Sequence, residues 1–297
     1  KAIISVKKSL SITYDNIGNL YADWKIEEAY GYYKKAITLK EDLLTSSSSK
    51  EAITDLATSY NNLGFLYVDN RADDDYAIFC YKRSIELMDT IEESQTDKSY
   101  GENLATCYTN LASLYFMLGD SKNSEKYYAK AIDIHKRLIK EFKDDDNIEK
   151  LLIIYNNLAC NQTDLNYPLS VTEDLYLEVI ELIKILKDPY KKRKKTAITY
   201  NNLGNLYLIK DKNYALCEKC YLKSIDLTKW VIDYHKSVEN EERLMVNYSN
   251  LAELYIRWGK EEQARTYLNL AIETANAIDY KNNQENINKF IYQHENF

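Results

Sequence analysis

An octet present in six copies constrains this chain more than any other feature. Tyr200-Asn201-Asn202-Leu203-Gly204-Asn205-Leu206-Tyr207 has a close relative starting at each of Tyr14, Tyr60, Tyr108, Tyr155 and Tyr248. Successive copies begin 46, 48, 47, 45 and 48 residues apart. Self-similarity at a fixed period of tens of residues belongs to chains built by stacking one supersecondary unit, each unit burying its apolar face on its neighbours. Such a chain escapes the size limit of a single core, so 297 residues need not be divided into separate globules.

Each octet is followed by a short turn and a second segment with apolar or small residues at helical spacing. Ala29, Tyr33, Ala36 and Ile37 follow a turn near Trp24-Lys25, and Ala77, Tyr81, Ser84 and Ile85 follow Asp73-Asp74-Asp75. Tyr128, Ala131 and Ile132 follow Gly119-Asp120, whereas Tyr176, Val179 and Ile180 follow a longer turn at Asn166-Tyr167-Pro168. Cys217, Tyr221, Ser224 and Ile225 come after Lys210-Asp211-Lys212, and Ala264, Leu268, Ala271 and Ile272 after Gly259. The chain has only 2 Pro and 7 Gly, as long uninterrupted helices require. The fourth copy departs most, with Gln162 in place of the second Tyr.

Six helix-turn-helix units with this pattern resemble tetratricopeptide repeats, and the resemblance covers nearly the whole chain. Two features differ from the family pattern. The first large aromatic is Tyr where the family often has Trp, and the Pro that usually closes the second helix is absent. The usual family period is about 34 residues, so each unit here is longer. The excess is regular: from Ala36 to Tyr60, Ser84 to Tyr108, Ala131 to Tyr155 and Ser224 to Tyr248 the distance is always 24 residues. Extended helices stay in phase in this way and random loops do not, so helices of roughly 18–22 residues, about 30 Å long, are expected. Val179 to Tyr200 is 21 residues and contains Pro189, where a local change of packing is expected.

The resulting expectation is an all-α, right-handed superhelical solenoid over residues 1–280. Its units are placed near 1–45, 51–93, 98–142, 147–187, 190–236 and 241–280. Residues 281–297 are read as a capping helix or the front of a truncated seventh repeat. A chain that opens without Met and stops where a seventh octet falls due leads us to expect a piece of a longer protein.

Composition limits the functional classes. A net charge of −7 argues against a dedicated nucleic-acid binder. No run approaches the ~18 apolar residues that span a bilayer, and the first residues lack a signal-peptide apolar core. Five cysteines, few and odd in number, suit a reducing, cytoplasmic setting with free thiols. Cys217-x-x-Cys220 falls on the small-residue slot held elsewhere by Ala29 and Ala77, so it reads as core rather than as a redox or zinc pair. His135, His235 and His294 are isolated and expected on exposed or interfacial helix faces. The chain has no phosphate-cradling Gly loop, no metal-ligand His/Glu motif and no nucleophile elbow. Neither enzyme activity nor a cofactor is expected.

The octet's Tyr, Leu and Gly or Ala have packing roles, but its Asn does not. Asn16, Asn62, Asn110, Asn157, Asn202 and Asn250 occupy the same place in all six copies, although Asn is a middling helix former. On the same face, at i, i+3 and i+7, lie Asn19 and Asp23, Phe65 and Asp69, Asn205 and Ile209, Glu253 and Arg257, with Met117 and Asp164 in the remaining copies. A row of carboxamides can pair with the backbone of an extended peptide without reading its side chains. The Tyr-Asn-Asn-Leu-Gly/Ala form is most similar to the kinesin light chain type of tetratricopeptide repeat. That resemblance implies that the asparagines line a concave peptide-binding groove. The alternative is that each Asn bonds a neighbouring helix and sets repeat spacing. Lys191, Lys192, Arg193, Lys194 and Lys195 form the one dense basic run, a candidate docking patch or simply a solvated helix start.

The leading expectation is therefore a scaffold for a protein or peptide partner, with no nucleic acid or membrane partner. The alternative is the regulatory or sensor segment of a larger signalling or defence enzyme, for example one with a caspase-like protease or a signalling ATPase on the same chain. Self-association through the Tyr-rich faces (28 Tyr in all) is a third option.

Overall fold

A computed structural model describes residues 2–46, 49–70, 72–91 and 98–278. The expected cap or seventh repeat at 281–297, and with it His294, lies outside the described residues. Within them the chain is an all-α solenoid of paired helices: α1 (Ala2–Tyr21), α2 (Ile26–Ser46), α3 (Lys50–Asp69), α4 (Asp74–Asp89), α5 (Lys98–Met117), α6 (Ser121–Phe142), α7 (Asp145–Asp164), α8 (Leu169–Lys184), α9 (Pro189–Lys210), α10 (Tyr214–Tyr234), α11 (Val238–Trp258) and α12 (Glu261–Ala277). The octet lies in every odd-numbered helix.

Helix starts and stops follow local chemistry. Asp73, Asp120, Asp188, Asn213 and Ser237 cap α4, α6, α9, α10 and α11 by accepting from backbone N–H groups of the first turn, which have no intrahelical partner. Gly119 and Gly259 end α5 and α11 at φ +77° and +75°, a conformation that a Cβ penalises. The octet helices are 20–22 residues long, as expected. The second helices are less uniform: α4 and α8 have 16 residues and α12 has 17. The short Val179–Tyr200 distance comes off the end of α8, which stops at Lys184, while Pro189 takes the first turn of α9, where its missing N–H costs nothing.

The chain forms two compact units, residues 1–161 and 162–297. The division falls at the octet copy in which Gln162 replaces Tyr. In the first unit α1 packs on α2, α3 on α4 and α5 on α6, and adjacent hairpins join through α2 on α3 and α4 on α5. In the second unit α9 packs on α10 and α11 on α12, with α8 on α9 and α10 on α11 between them.

Within a hairpin the octet's small residue meets a Tyr of the second helix: Gly18 faces Tyr33, Gly64 faces Tyr81 and Gly204 faces Tyr221. Ser84 and Ser224, in the second small slot, donate across the hairpin to the carbonyls of Ala57 (2.7 Å) and Ala197 (2.8 Å). Cys217 and Cys220 are buried free thiols, and burial pushes them up to about 12 and about 11, so they stay protonated and inert as core residues. Tyr128, Tyr221, Leu63, Leu111 and Leu138 are among the largest fully buried side chains, so much of the Tyr content is core.

Candidate interaction face of the octet helices

The octet's last Tyr joins one hairpin to the one before it. Tyr67 stacks on Tyr30 with ring centroids 4.4 Å apart. At the equivalent place Tyr207 donates to Glu173 (2.5 Å) and Tyr255 donates to Glu218 (2.7 Å). These contacts tie α3 to α2, α9 to α8 and α11 to α10.

The remaining face of each octet helix carries the asparagines. In the first unit Asn16 is exposed and Asn62, Asn110 and Asn157 are half-buried; in the second, Asn202 and Asn250 are half-buried. Asn110 Nδ2 donates to Oδ1 of Asn61 (3.1 Å), and Asn250 Nδ2 donates to Oδ1 of Asn201 (2.9 Å). Both bonds join the second Asn of one octet to the first Asn of the preceding octet, so α5 is tied to α3 and α11 to α9. Each such bond uses one donor of one carboxamide and one acceptor of the other, out of four hydrogen-bonding positions apiece. Spacing and ligand contact are therefore compatible roles for the same row.

The flanking positions differ from one another. Asp23 and Asp69 are exposed. Exposed Arg257 is ion-paired with half-buried Glu253 one turn away. Asn19 and Asn205 are held from within their own hairpins: Tyr33 donates to Oδ1 of Asn19, and Tyr221 donates to Oδ1 of Asn205 at 2.6 Å. In the third hairpin Ser113 bonds Tyr128 at 2.8 Å in the same way. The sequence signal for this was a polar residue directly after Gly or Ala, with a Tyr 14 to 16 residues later. Between the polar groups stand exposed apolar side chains: Ile12, Phe65, Met117 and Ile153 in the first unit, Ile209 and Val246 in the second.

The basic run opens α9, where Asp188 accepts from the N–H groups of Tyr190 and Lys191 and places an anion beside the cations. Arg193 lies 3.9 Å from the ring centroid of Trp230, Lys194 pairs with Glu239 at 2.9 Å, and Lys192 donates to the carbonyl of Lys184. His235 is exposed, whereas His135 is buried, its Nδ1 3.0 Å from Oδ1 of the wholly buried Asn147. Of the two surroundings expected for His135, the helix interface is therefore the one found. Among the described residues no group of three or more His, Cys, Asp or Glu could hold a metal ion, and no helix is long and apolar enough to cross a membrane.

Models of the tetratricopeptide repeat match residues 104–146, 197–229 and 247–277. A sequence search of functionally characterised proteins finds no match. Among solved structures the chain is similar to BtubC from P. vanneervenii, with a TM-score of 0.61 at 18% identity, covering 86% of this chain and 92% of that one. It is also similar to Nro1, a nuclear import adaptor of S. pombe, with a TM-score of 0.57 at 13% identity, covering 98% and 94%. NprR in complex with its cognate peptide NprX gives a TM-score of 0.51 at 16% identity, covering 97% and 74%. Identities this low speak to architecture alone. The octets, the hairpins and these likenesses agree: the fold of this chain is the tetratricopeptide-repeat fold.

Proposed function

We propose that this chain is a non-enzymatic interaction scaffold that holds an extended peptide, or an extended segment of a partner protein, along the asparagine face of its octet helices. One observation carries the reading. The same carboxamide stands half-exposed or exposed in all six octets, and in Asn110 and Asn250 the bond to the preceding octet takes one of four hydrogen-bonding positions. An extended chain offers alternating N–H and C=O groups that a row of carboxamides can meet irrespective of side chain. Ile12, Phe65, Met117 and Ile153 supply apolar contacts beside the row, and exposed Asp23 and Asp69 supply charge. A solved structure of this architecture holding a peptide, NprR with NprX, supports the class of ligand. The paired-Asn octet supports the kinesin light chain type as the nearest variety of repeat. The setting proposed is cytoplasmic. On a longer polypeptide with an effector domain, the same face would act as the sensor.

A display library of random peptides separates ligand binding from spacing. Wild type and the Asn62→Ala/Asn157→Ala/Asn202→Ala variant are panned in parallel. Peptides that bind wild type and lose affinity for a still-folded variant support the proposal. Binders indifferent to all three substitutions, together with a lower melting temperature, would overturn it.

A further inference from the structure

Between α3 and α5 the asparagine face is broken by a polar notch of about 40 Å³ that reaches down to α4. A single water needs ~10–15 Å³ of such space, so the notch takes a group of roughly two or three heavy atoms. Exposed Thr58 and Thr106 stand at its rim, each one helical turn before the second Asn of its octet and on the same helix face. Half-buried Asn61 and Asn103 line its walls, and buried Ser84, Met88 and Cys107 lie at its floor.

The equivalent place is bridged by polar side chains in the joint of α1, α2 and α3 and in that of α9, α10 and α11. One turn past the second small slot stand Lys40, Met88 and Thr228. Lys40 Nζ reaches Asp15 Oδ2 (2.5 Å) and Ser59 Oγ (2.8 Å), the counterparts of Asn61 and Cys107. Thr228 accepts from Nδ2 of Asn247 (3.0 Å), which occupies the place of Cys107, and both residues are buried. Met88 offers no such bridge, and Cys107 turns its thiol to Ser84 (3.1 Å), so the joint of α3, α4 and α5 stays open. The rim differs too: Ile198 and Val246 stand where Thr58 and Thr106 do.

The hydrogen-bonding capacity around the notch is largely unspent. Thr58 and Thr106 donate to the carbonyls of Thr54 and Glu102, which leaves their oxygen lone pairs free to accept. Asn61 accepts from Asn110 through Oδ1 and keeps its Nδ2 donors, and Asn103 has no hydrogen-bond partner among the described residues. Ser84 spends its proton on the carbonyl of Ala57, so the Cys107 S–H donates to Ser84; burial pushes that thiol up to about 11 and keeps it neutral. None of the lining residues is charged. A carboxylate or ammonium group brought here would lose its water without meeting a counter-ion. A small neutral group that both donates and accepts is matched instead. The side chains of Ser and Thr have that size and chemistry, and that of Asn is larger.

We propose that this notch is a side-chain pocket of the peptide groove, taking the hydroxyl of a Ser or Thr in the bound segment while the asparagines hold its backbone. The inference rests on the groove reading above and adds sequence selectivity to it at one position.

Peptides selected from a random display library on the wild-type chain are expected to share a Ser or Thr at one position. Replacing that residue by Ala in a synthetic peptide is expected to weaken binding by about five- to ten-fold in isothermal titration calorimetry. On the Asn103→Leu/Thr106→Val protein, which keeps the asparagine row, the hydroxyl peptide and its Ala counterpart are expected to bind equally. The single variant Asn103→Ala, a milder change at a half-buried site, is expected to shrink the same preference. Far-ultraviolet circular dichroism checks that both variants fold. Binders with no shared Ser or Thr, or a preference that survives the double substitution, would overturn the pocket and leave the groove reading standing, the notch then holding water only. A library that yields no binders would overturn both.

Discussion

Gly204 lies so close to the ring of Tyr221 that a methyl group built on it would sit 2.6 Å from Cε1. The ring cannot slide away freely, because the Tyr221 hydroxyl is tied to Asn205. An Ala at a helical Gly gains about 0.5–1 kcal/mol in backbone terms, while overpacking a rigid contact costs about 1–3 kcal/mol. Gly204→Ala is therefore expected to lower stability by about 1 kcal/mol. Gly18→Ala, whose methyl would meet the Tyr33 ring at 3.1 Å, is expected to be close to neutral. Thermal unfolding of the two variants side by side checks this, and a Gly204→Ala protein more stable than wild type would contradict it.

The Asn61–Asn110 bond predicts a measurable coupling between α3 and α5. Part-buried amide hydrogen bonds contribute about 0.5–1.5 kcal/mol. Asn61→Ala, Asn110→Ala and the double variant are expected to give a coupling energy of about that size in a double-mutant cycle of chemical unfolding. Asn201 and Asn250 should behave alike, because their 2.9 Å bond repeats the arrangement. Zero coupling in both pairs would remove the spacing role from the asparagine row.

The fold was legible because each local rule pointed to the same unit. The octet marks the first helix, Asp73, Asp120 or Gly259 marks the turn, and the small–Tyr–small pattern marks the second helix. The constant distance of 24 residues gave the length of the octet helices. It could not give the 16 residues of α4 or α8, since where a second helix frays into its connection depends on neighbours that periodicity does not record. On the interaction face, Asn19 and Asn205 read as ligand-binding positions, because the Tyr that reaches their side-chain carbonyls lies 14 and 16 residues on, in the second helix. The burial of His135 was equally hidden: its partner Asn147 belongs to the next hairpin.

Lys40 joins the first two hairpins through charge, and the structure predicts an asymmetric response to its removal. Its buried ammonium group lies 2.5 Å from Asp15 Oδ2 in α1, and donates to the carbonyl of Asp55 (2.9 Å) and to Ser59 Oγ (2.8 Å) in α3. Lys40→Ala leaves the half-buried Asp15 carboxylate without its counter-ion and is expected to cost about 3–5 kcal/mol. Lys40→Met with Asp15→Asn keeps the volume and removes both charges, so it is expected to recover most of that loss. Chemical unfolding of the three proteins checks the order, and equal destabilisation of the single and double variants would contradict it.

His135 gives the first unit a pH dependence of predictable sign. Burial lowers its pKa below the usual value of 6.5, assisted by Lys150, while the hydrogen bond to Asn147 and the charges of Glu102 and Asp144 oppose the shift. Lys150 itself is paired with Glu102 at 2.7 Å, and Asn147 donates to Glu102 at 3.0 Å, so protonating His135 disturbs a network reaching α5 and α7. A histidine with a depressed folded pKa binds protons more readily when unfolded. Stability is therefore full above the unfolded value and falls as pH drops through about 6.5 toward the folded value. The lowered pKa values of Glu102 and Asp144 act in the same direction, but only below the ordinary carboxylate range, so the two effects separate. Melting temperatures of wild type and His135→Gln between neutral pH and about pH 5 should diverge, wild type losing stability on acidification and the variant staying nearly flat. Parallel curves across that window would show that another group carries the dependence.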